Sequence, residues 1–263
     1  MGYKDGIMKI GIAADTHYDI VEYPARTSVA EGMVGFFNSN SVEFILHLGD
    51  IYNHFGGADI PEKEQCCLDS FAQYEPVWAA AGAQSYWLMG NHDHFGVDNE
   101  FFISNSKFTP ALNFVINRGG WRFICYSNKE SFRYNASAES LVWLEKQLEL
   151  ARLDQKKVII CTHCRILQFY PGNPASWTAE PASMYSVNSD EQLRIIDRAQ
   201  EAGTDIRYVF VGHAHGNAEN IRNGVTFYAF KNGGDDGACA VVEIQGDDSL
   251  VIIGRASQTS FNV

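Results

Sequence analysis

Five short polar clusters in the sequence each follow directly on an apolar run, and they contain side chains that suit metal binding. They are Asp15-Thr-His17, Gly49-Asp50, Gly90-Asn91-His92-Asp93, Thr162-His163 and Gly212-His213-Ala-His215. Imidazole, carboxylate and amide oxygen donors together suit Mn²⁺, Fe²⁺, Fe³⁺ or Zn²⁺, whereas a set of oxygen ligands alone would indicate Mg²⁺ or Ca²⁺. The clusters therefore predict a transition-metal site.

The candidate ligands number seven: Asp15, His17, Asp50, Asn91, His163, His213 and His215. They are too many for one cation, but they suffice for two cations about 3.5–4 Å apart, a separation that a carboxylate can bridge. In an extended chain, residues two apart point to the same side, so each D-x-H or H-x-H pair is expected to face one region. Because the carboxyl ends of parallel strands open onto one crevice, the candidates are expected to converge.

The elements that position these clusters are short strands and amphipathic helices. Apolar runs predict strands at Ile7–Ala14, Val42–Leu48, Ser85–Met89, Asn113–Asn117, Trp121–Tyr126, Val158–Thr162, Arg207–Val211, Val225–Phe230, Ala238–Ile244 and Leu250–Ile253. Helices are predicted at Ala138–Leu153 and Glu191–Ala202, the second with a capping box from Ser189 to Gln192, and more weakly at Ala25–Phe37 and Glu62–Ala80.

The order of these elements predicts an α/β protein. Strands alternate with helices in the first half, which favours parallel pairing, and short turns join the last three strands, which favours antiparallel hairpins. Two packed sheets with outer helices satisfy both patterns. We expect one catalytic domain over residues 1–263, with residues 1–7 as a loose extension.

Composition and charge narrow the possible partners. The net charge of −12 at pH 7 repels polyanions, so neither a nucleic acid polymer nor an anionic membrane surface is expected to bind. No apolar run approaches the roughly 20 residues that a membrane helix needs. Six cysteines without other signs of secretion favour reduced thiols and a cytoplasmic location. The oligomeric state is left open.

In chain order, the motifs D-x-H, G-D, G-N-H-D, T-H and G-H-x-H resemble those of the calcineurin-like metallophosphoesterase superfamily, from Asp15 to His215. The resemblance implies a four-layer α/β/β/α sandwich of two mixed sheets flanked by helices. It also implies two metal ions that share Asp50 as a bridging ligand. The first ion would be held by Asp15, His17, Asp50 and His215, and the second by Asp50, Asn91, His163 and His213.

The same resemblance implies a phosphohydrolase in which a hydroxide held between the metals attacks phosphorus. Asp50 and His92 would be the catalytic residues, with His92 contacting the substrate phosphate and protonating the departing oxygen. The chain looks most like the cyclic-nucleotide phosphodiesterase-like branch, with T-H-C in place of its frequent H-H dipeptide. A phosphodiesterase acting on a small phosphorylated molecule, such as a nucleotide, is expected. A phosphomonoesterase and a non-enzymatic metal-binding scaffold are the alternatives.

Three departures separate the chain from other branches. Protein phosphatases carry an aspartate three residues after the bridging Asp, where it orients the catalytic histidine, and here that residue is Asn53. Asp93 is a possible substitute. The pattern G-D-x-x-D-R-G is also missing, which argues against a protein phosphatase. Tyr52 lies one position short of the metal-binding tyrosine of purple acid phosphatases.

Several further residues have both a functional and a structural interpretation. The predicted substrate pocket comprises Asn91, His92, Asn53, His54, His94 and Tyr170. His47, inside an apolar strand, is interpreted as a core residue, and Cys161 and Cys164 as buried thiols rather than zinc ligands. Asn188 is expected to cap a helix. The irregular segment 167–188 is long enough to be a functional or mobile loop.

Overall fold

A computed structural model describes residues 7–53, 63–94, 97–128, 135–167 and 186–262 of this chain. The strands in these ranges are β1 Met8–Ala13, β2 Phe44–His47, β3 Gln84–Trp87, β4 Phe114–Arg118, β5 Trp121–Cys125, β6 Lys157–Cys161, β7 Ile206–Val211, β8 Ala218–Arg222, β9 Val225–Ala229, β10 Cys239–Ile244, β11 Leu250–Arg255 and β12 Phe261–Asn262. The helices are α1 Arg26–Asn40, α2 Lys63–Ala79, α3 Asn99–Asn105, α4 Ala138–Leu153 and α5 Ser189–Glu201. None of these helices combines the length and the apolar character needed to cross a membrane.

The strands form two mixed sheets. The first has the order β12-β11-β10-β1-β2-β3, and the second has the order β4-β5-β6-β7-β9-β8. Parallel pairing joins β1, β2 and β3 in the first sheet and β5, β6, β7 and β9 in the second. The parallel pairing predicted from the strand and helix alternation is therefore confirmed in one half of the first sheet and at the centre of the second.

The alternation of side chains along the strands shows that the two sheets pack against each other, between the helices. In β1, Ile10 and Ile12 face the core between the sheets, whereas Ala13 packs with α1 and α2. In β6, Ile159 faces the same central core and Ile160 packs with α4 and α5. Each sheet thus buries one face against the other sheet and one against helices. The predicted α/β fold, a four-layer α/β/β/α sandwich, is confirmed.

One predicted hairpin is wrong. The strands β10 and β11 do form an antiparallel hairpin, but β9 and β10 lie in different sheets. The short connection between them crosses the edge of the sandwich, where Gly233 N donates to Ala14 O at 2.8 Å and Gly234 N donates to Asp15 O at 3.2 Å. A glycine-rich turn that resembles a hairpin loop in sequence therefore serves as a crossover beside the first polar cluster.

The sequence interpretation missed β8, α3 and β12. Strand β8 is a polar edge strand, but its turn to β9 carries the hairpin signal Asn223-Gly224, and both residues have positive φ, as a type I′ turn requires. Helix α3 begins after Asp98, whose side chain accepts the Phe101 amide at 2.7 Å. These local signals would have revealed both elements.

The predicted capping box of α5 is also wrong. The helix begins at Ser189, its N-cap is Asn188, and the Asn188 side chain makes no capping hydrogen bond. Instead, Asn188 Oδ1 accepts the Ala136 amide at 3.1 Å and Gln192 Nε2 at 2.9 Å. Asn188 therefore joins the start of α5 to the segment that precedes α4.

Candidate metal centre

The seven candidate ligands all lie just beyond the carboxyl ends of strands, and the two sheets contribute to the same site. Loops after β1, β2 and β3 carry Asp15, His17, Asp50 and Asn91, and loops after β6 and β7 carry His163, His213 and His215. Donor atoms from both sets approach one another to within 4.8 Å. The predicted convergence at the strand ends is confirmed.

The local backbone differs from the extended geometry that the sequence predicted for the D-x-H and H-x-H pairs. Five candidate ligands have left-handed φ angles: Asp15 (52°), His17 (47°), Asp50 (52°), His213 (65°) and His215 (53°). Asp and His tolerate this region better than most residues, but each such residue still costs about 1–3 kcal/mol. Convergence here depends on tight turns that begin where the strands end.

Backbone hydrogen bonds hold the first two of these turns side by side. Three amides of the β1 loop donate to carbonyls of the β2 loop: Asp15 N to Gly49 O at 3.0 Å, His17 N to Asp50 O at 3.0 Å and Tyr18 N to Ile51 O at 2.8 Å. The ladder continues the parallel pairing of β1 with β2 into the loops. It therefore supplies part of the energy that stabilises the strained turns.

The first group of donors comprises Asp15, His17 and His215. His17 Nε2 lies 3.0 Å from His215 Nε2, and His215 Nε2 lies 3.6 Å from Asp15 Oδ1. Burial lowers the pKa of His17 to about 3 and also lowers the pKa of His215. Two neutral imidazoles therefore direct nitrogen atoms at one point beside a carboxylate, an arrangement that fits a shared cation.

The second group centres on His163. Its Nε2 atom lies 3.1 Å from Asn91 Oδ1 and 3.2 Å from Asp50 Oδ2, while its Nδ1 atom donates to Leu48 O at 2.8 Å. The bond to a carbonyl fixes the ring orientation and directs Nε2 into the site. The His213 ring lies 5.0 Å from the His163 ring, measured between centroids, and completes this group.

Buried carboxylates and the His163 imidazole shift one another's pKa values. Burial alone would lower the pKa of His163, but the carboxylates of Asp50 and Asp15 outweigh burial and raise that pKa to about 9. Burial would raise the pKa of Asp50, but His163 and His17 hold it well below its usual range. Burial raises the pKa of Asp15 to about 8, although His163 opposes the shift. Without a cation, the site therefore retains protons among these carboxylates and imidazoles.

Asp50 lies between the two groups. Its Oδ2 atom is 3.2 Å from His163 Nε2 and 3.9 Å from His17 Nε2, and its Oδ1 atom accepts the His92 amide at 2.7 Å. Asp15 is similarly constrained, since both of its carboxylate oxygens accept the His213 amide at 3.0 Å. The Asp50 carboxylate therefore faces donor nitrogens of both groups.

His92 stands beside the first group. Its ring centroid is 4.6 Å from that of His17, and its Nδ1 atom lies 2.5 Å from the backbone carbonyl oxygen of Asn53. A carbonyl can only accept, so Nδ1 carries a hydrogen and donates it. The ring is half-buried at the rim of the ligand cluster.

Comparison with known proteins agrees with this fold. The model of the calcineurin-like phosphoesterase family matches residues 8–217. The chain belongs to the calcineurin-like phosphoesterase family. No curated protein matches it.

Solved structures that resemble this calcineurin-like phosphoesterase share its fold at low sequence identity. A dimetal phosphatase from Danio rerio is 15% identical with a TM-score of 0.77, over 98% of this chain and 99% of that one. Plasmodium GAP50, the anchor in the inner membrane complex, is 14% identical with a TM-score of 0.66, over 98% and 89%. Purple acid phosphatase from yellow lupin is 14% identical with a TM-score of 0.64, over 98% of this chain and 53% of that one.

In this calcineurin-like phosphoesterase, the group that orients His92 differs from the predicted one. The prediction considered the Asn53 side chain and the Asp93 carboxylate, but the Asn53 backbone carbonyl accepts from the ring. Asp93 instead binds three backbone amides in the loops: Tyr52 N at 3.0 Å, Gly90 N at 2.7 Å and Ile51 N at 3.3 Å. Asp93 therefore ties the β2 loop to the β3 loop.

The other predicted pocket residues have mixed outcomes. His94 Nδ1 lies 2.5 Å from Asn99 Oδ1, so this ring contacts the first residue of α3. His54, Tyr170 and residues 168–185 of the predicted loop lie outside the described residues. Cys161 and Cys164 are buried thiols, as predicted.

Three residues that were not predicted as part of the site lie near it. Arg26 Nη1 donates to His17 O at 2.5 Å, and the Cys164 sulfur approaches donor atoms of His163 and His213 to within 4.8 Å. Thr16 Oγ1 lies 3.0 Å from Nε2 of His47, a buried histidine. Thr16 lies between two candidate ligands and Cys164 directly follows His163, whereas no motif marks Arg26.

Proposed function

We propose that this chain is a dinuclear-metal phosphodiesterase that hydrolyses a small phosphorylated molecule, such as a nucleotide. The observation that carries the proposal is the position of Asp50, with His17 on one side and His163 on the other. A single carboxylate between two donor groups suits two cations held close enough to act on one phosphoryl group.

The geometry supports one ligand set for each cation. In this proposal the first cation binds to Asp15, His17, Asp50 and His215, and the second binds to Asp50, Asn91, His163 and His213. The mixture of nitrogen and oxygen donors favours manganese, iron or zinc. When bound, such cations activate water and neutralise phosphoryl oxygens.

The protein's own residues orient the reacting groups. Asp50 is fixed by the His92 amide through Oδ1, which leaves Oδ2 directed at the donor nitrogens. The Asn53 carbonyl holds the His92 ring through Nδ1, so a proton for the departing oxygen has to come from the Nε2 edge. This assignment makes His92 the general acid and phosphate contact.

The net charge supports a small substrate. With a formal charge of −12, the chain attracts a phosphorylated molecule only where cations or histidines are concentrated, and an extended polyanion gains little. We therefore expect no nucleic acid polymer and no membrane as partner. The cytoplasmic location predicted from the cysteines stays a prediction.

Hydrolysis of two chromogenic esters tests the proposal. Bis(p-nitrophenyl) phosphate and p-nitrophenyl phosphate should be compared with Mn²⁺, Fe²⁺, Zn²⁺ and Mg²⁺, and we expect the diester to be preferred with one of the first three cations. A clear preference for the monoester would replace the phosphodiesterase with a phosphomonoesterase. Fewer than one bound transition metal per chain and no hydrolysis would indicate a scaffold.

A further inference from the structure

A buried histidine connects the loops that carry the candidate ligands. His47 is the last residue of β2, and Thr16 lies between Asp15 and His17. His47 is 0% exposed and Thr16 is 1% exposed. His47 Nε2 lies 3.0 Å from Thr16 Oγ1, so this contact links the β1 loop to the end of β2. The prediction that His47 is a satisfied core residue is confirmed.

The partners of His47 determine the direction of each hydrogen bond. The Gly49 amide can only donate, so His47 Nδ1 accepts from it at 3.3 Å, and Nε2 must carry the ring hydrogen. Nε2 then donates to the Thr16 hydroxyl, which donates to Ile51 O at 3.0 Å. The chain of bonds starts at Gly49 and ends at Ile51, the two neighbours of Asp50.

The histidine ring is itself rigidly held. Its centroid lies 5.6 Å from that of Trp78 and 6.2 Å from that of Trp87, both in edge contacts. Burial lowers the pKa of His47 to about 3, so the ring is neutral in the physiological range and keeps one donor and one acceptor. A fixed neutral ring can position the flexible hydroxyl that it contacts.

Both loops joined by this pair contain strained residues. Asp15, His17 and Asp50 have left-handed φ angles, and a ladder of backbone hydrogen bonds joins the two turns. The hydroxyl of Thr16 adds a side-chain connection on the buried side. Ligands need to be held within about 0.5 Å of their working positions, which a second layer of hydrogen bonds provides.

We propose that His47 and Thr16 form a positioning pair that keeps the Asp15–His17 turn in register with Asp50, and so sets the geometry of the first metal-binding group. The inference rests on the metal centre proposed above. Both residues are buried behind the ligands, so the pair acts through those ligands. Their effect is on the spacing between ligands that come from two loops.

Calorimetric titration of the metal-free full chain with Mn²⁺, without substrate, tests the pair. Thr16→Val keeps the branched shape and removes the hydroxyl, and we expect it to weaken binding of one of the two ions by about 10–100-fold. Thr16→Ser restores the hydroxyl and should bind both ions as the wild type does. Thr162→Val is the matched control, since Thr162 is buried beside His163 but makes no hydrogen bond to either loop within the described residues.

Electron paramagnetic resonance adds a readout that a general loss of stability would not produce. The wild-type protein with two equivalents of Mn²⁺ should show an exchange-coupled pair, and Thr16→Val should show mononuclear Mn²⁺ at the same loading. Urea unfolding of each metal-free variant verifies that the fold persists.

The possible outcomes separate this inference from the proposed function. If the wild type binds two ions and Thr16→Val binds both equally well, the positioning pair is wrong and the metal centre stands. Equal loss in Thr16→Ser or in Thr162→Val also overturns the pair, because the hydroxyl between the loops would not be the cause. A wild type that binds fewer than two ions overturns the metal centre and the pair with it.

Discussion

Replacement of Asp93 by asparagine tests whether this carboxylate holds two loops together or orients the His92 ring. Asp93 Oδ1 accepts one backbone amide, from Tyr52, and Oδ2 accepts two, from Gly90 and Ile51. An asparagine has only one acceptor oxygen, so in either orientation its NH₂ group faces at least one backbone N–H. We expect Asp93→Asn to destabilise the fold and to leave the orientation of His92 intact.

The size of the effect follows from these contacts. A buried amide that loses its partner costs about 1–3 kcal/mol. Burial and the nearby charge of Asp50 raise the pKa of Asp93 to about 7, so removing the carboxylate also relieves an unfavourable charge and offsets part of the loss. A net loss of about 1–2 kcal/mol is expected, which corresponds to about 2–8 °C in Tm for a chain of this size.

Urea unfolding at pH 7 and the pH profile of turnover measure the two consequences separately. Asp98→Asn is the matched control, because Asp98 accepts an amide at the start of α3 and asparagine caps helices equally well. The Asp93→Asn protein should unfold at lower urea than the control and keep the wild-type pH profile. An unchanged urea midpoint with a shifted pH profile would refute the reasoning, since the carboxylate would then act on His92.

Three further expectations concern the metal site and its surroundings. His92→Ala should keep both metals and lose about 10²–10⁴-fold in turnover, and unchanged turnover at full metal occupancy contradicts the general-acid role. Metal affinity should rise with pH, because the pKa of His163 is raised to about 9 and a bound cation displaces that proton. Calorimetry of metal binding at pH 7 in buffers of different ionisation enthalpy should show that protons are released. Binding without proton release would contradict this expectation. Gly90→Ala should abolish metal binding, because a Cβ atom there would lie 2.3 Å from the backbone nitrogen and Oδ1 of Asp50. Gly35 has open space around it, so Gly35→Ala serves as the control and should change stability by less than about 1 kcal/mol. Equal metal binding by the two alanine variants would show that Gly90 is not constrained.

Sequence was sufficient to locate the ligand cluster because its position depends on topology. Asp50 follows a strand of the first sheet and His163 follows a strand of the second, and both strands end at the same edge of the sandwich. The conformation of each turn was not predictable in the same way. The i, i+2 rule assumes an extended chain, whereas β1 ends at Ala13, and Asp15 and His17 adopt left-handed φ angles.

Contacts made by backbone atoms could not be predicted from the residue types. The carbonyl that orients His92 belongs to Asn53, and any residue at that position offers the same oxygen. The connection from β9 to β10 has the glycines of a hairpin loop, but its amides bind Ala14 and Asp15 and carry the chain to the other sheet. Composition shows that the chain turns there. It does not show which strand the chain joins next.

His47 illustrates how a structural interpretation and a role at the site can coincide. A histidine inside an apolar strand has to satisfy two ring nitrogens, and burial makes an unsatisfied nitrogen costly. Its two partners are the Gly49 amide and the Thr16 hydroxyl, both in the loops that carry candidate ligands. The need to satisfy a buried ring therefore connects the β1 loop to β2 through Thr16 and Gly49, which are the chain neighbours of the candidate ligands Asp15, His17 and Asp50. The proposed positioning pair is therefore tested by substituting Thr16, which lies beside the ligands, and not by substituting the ligands themselves.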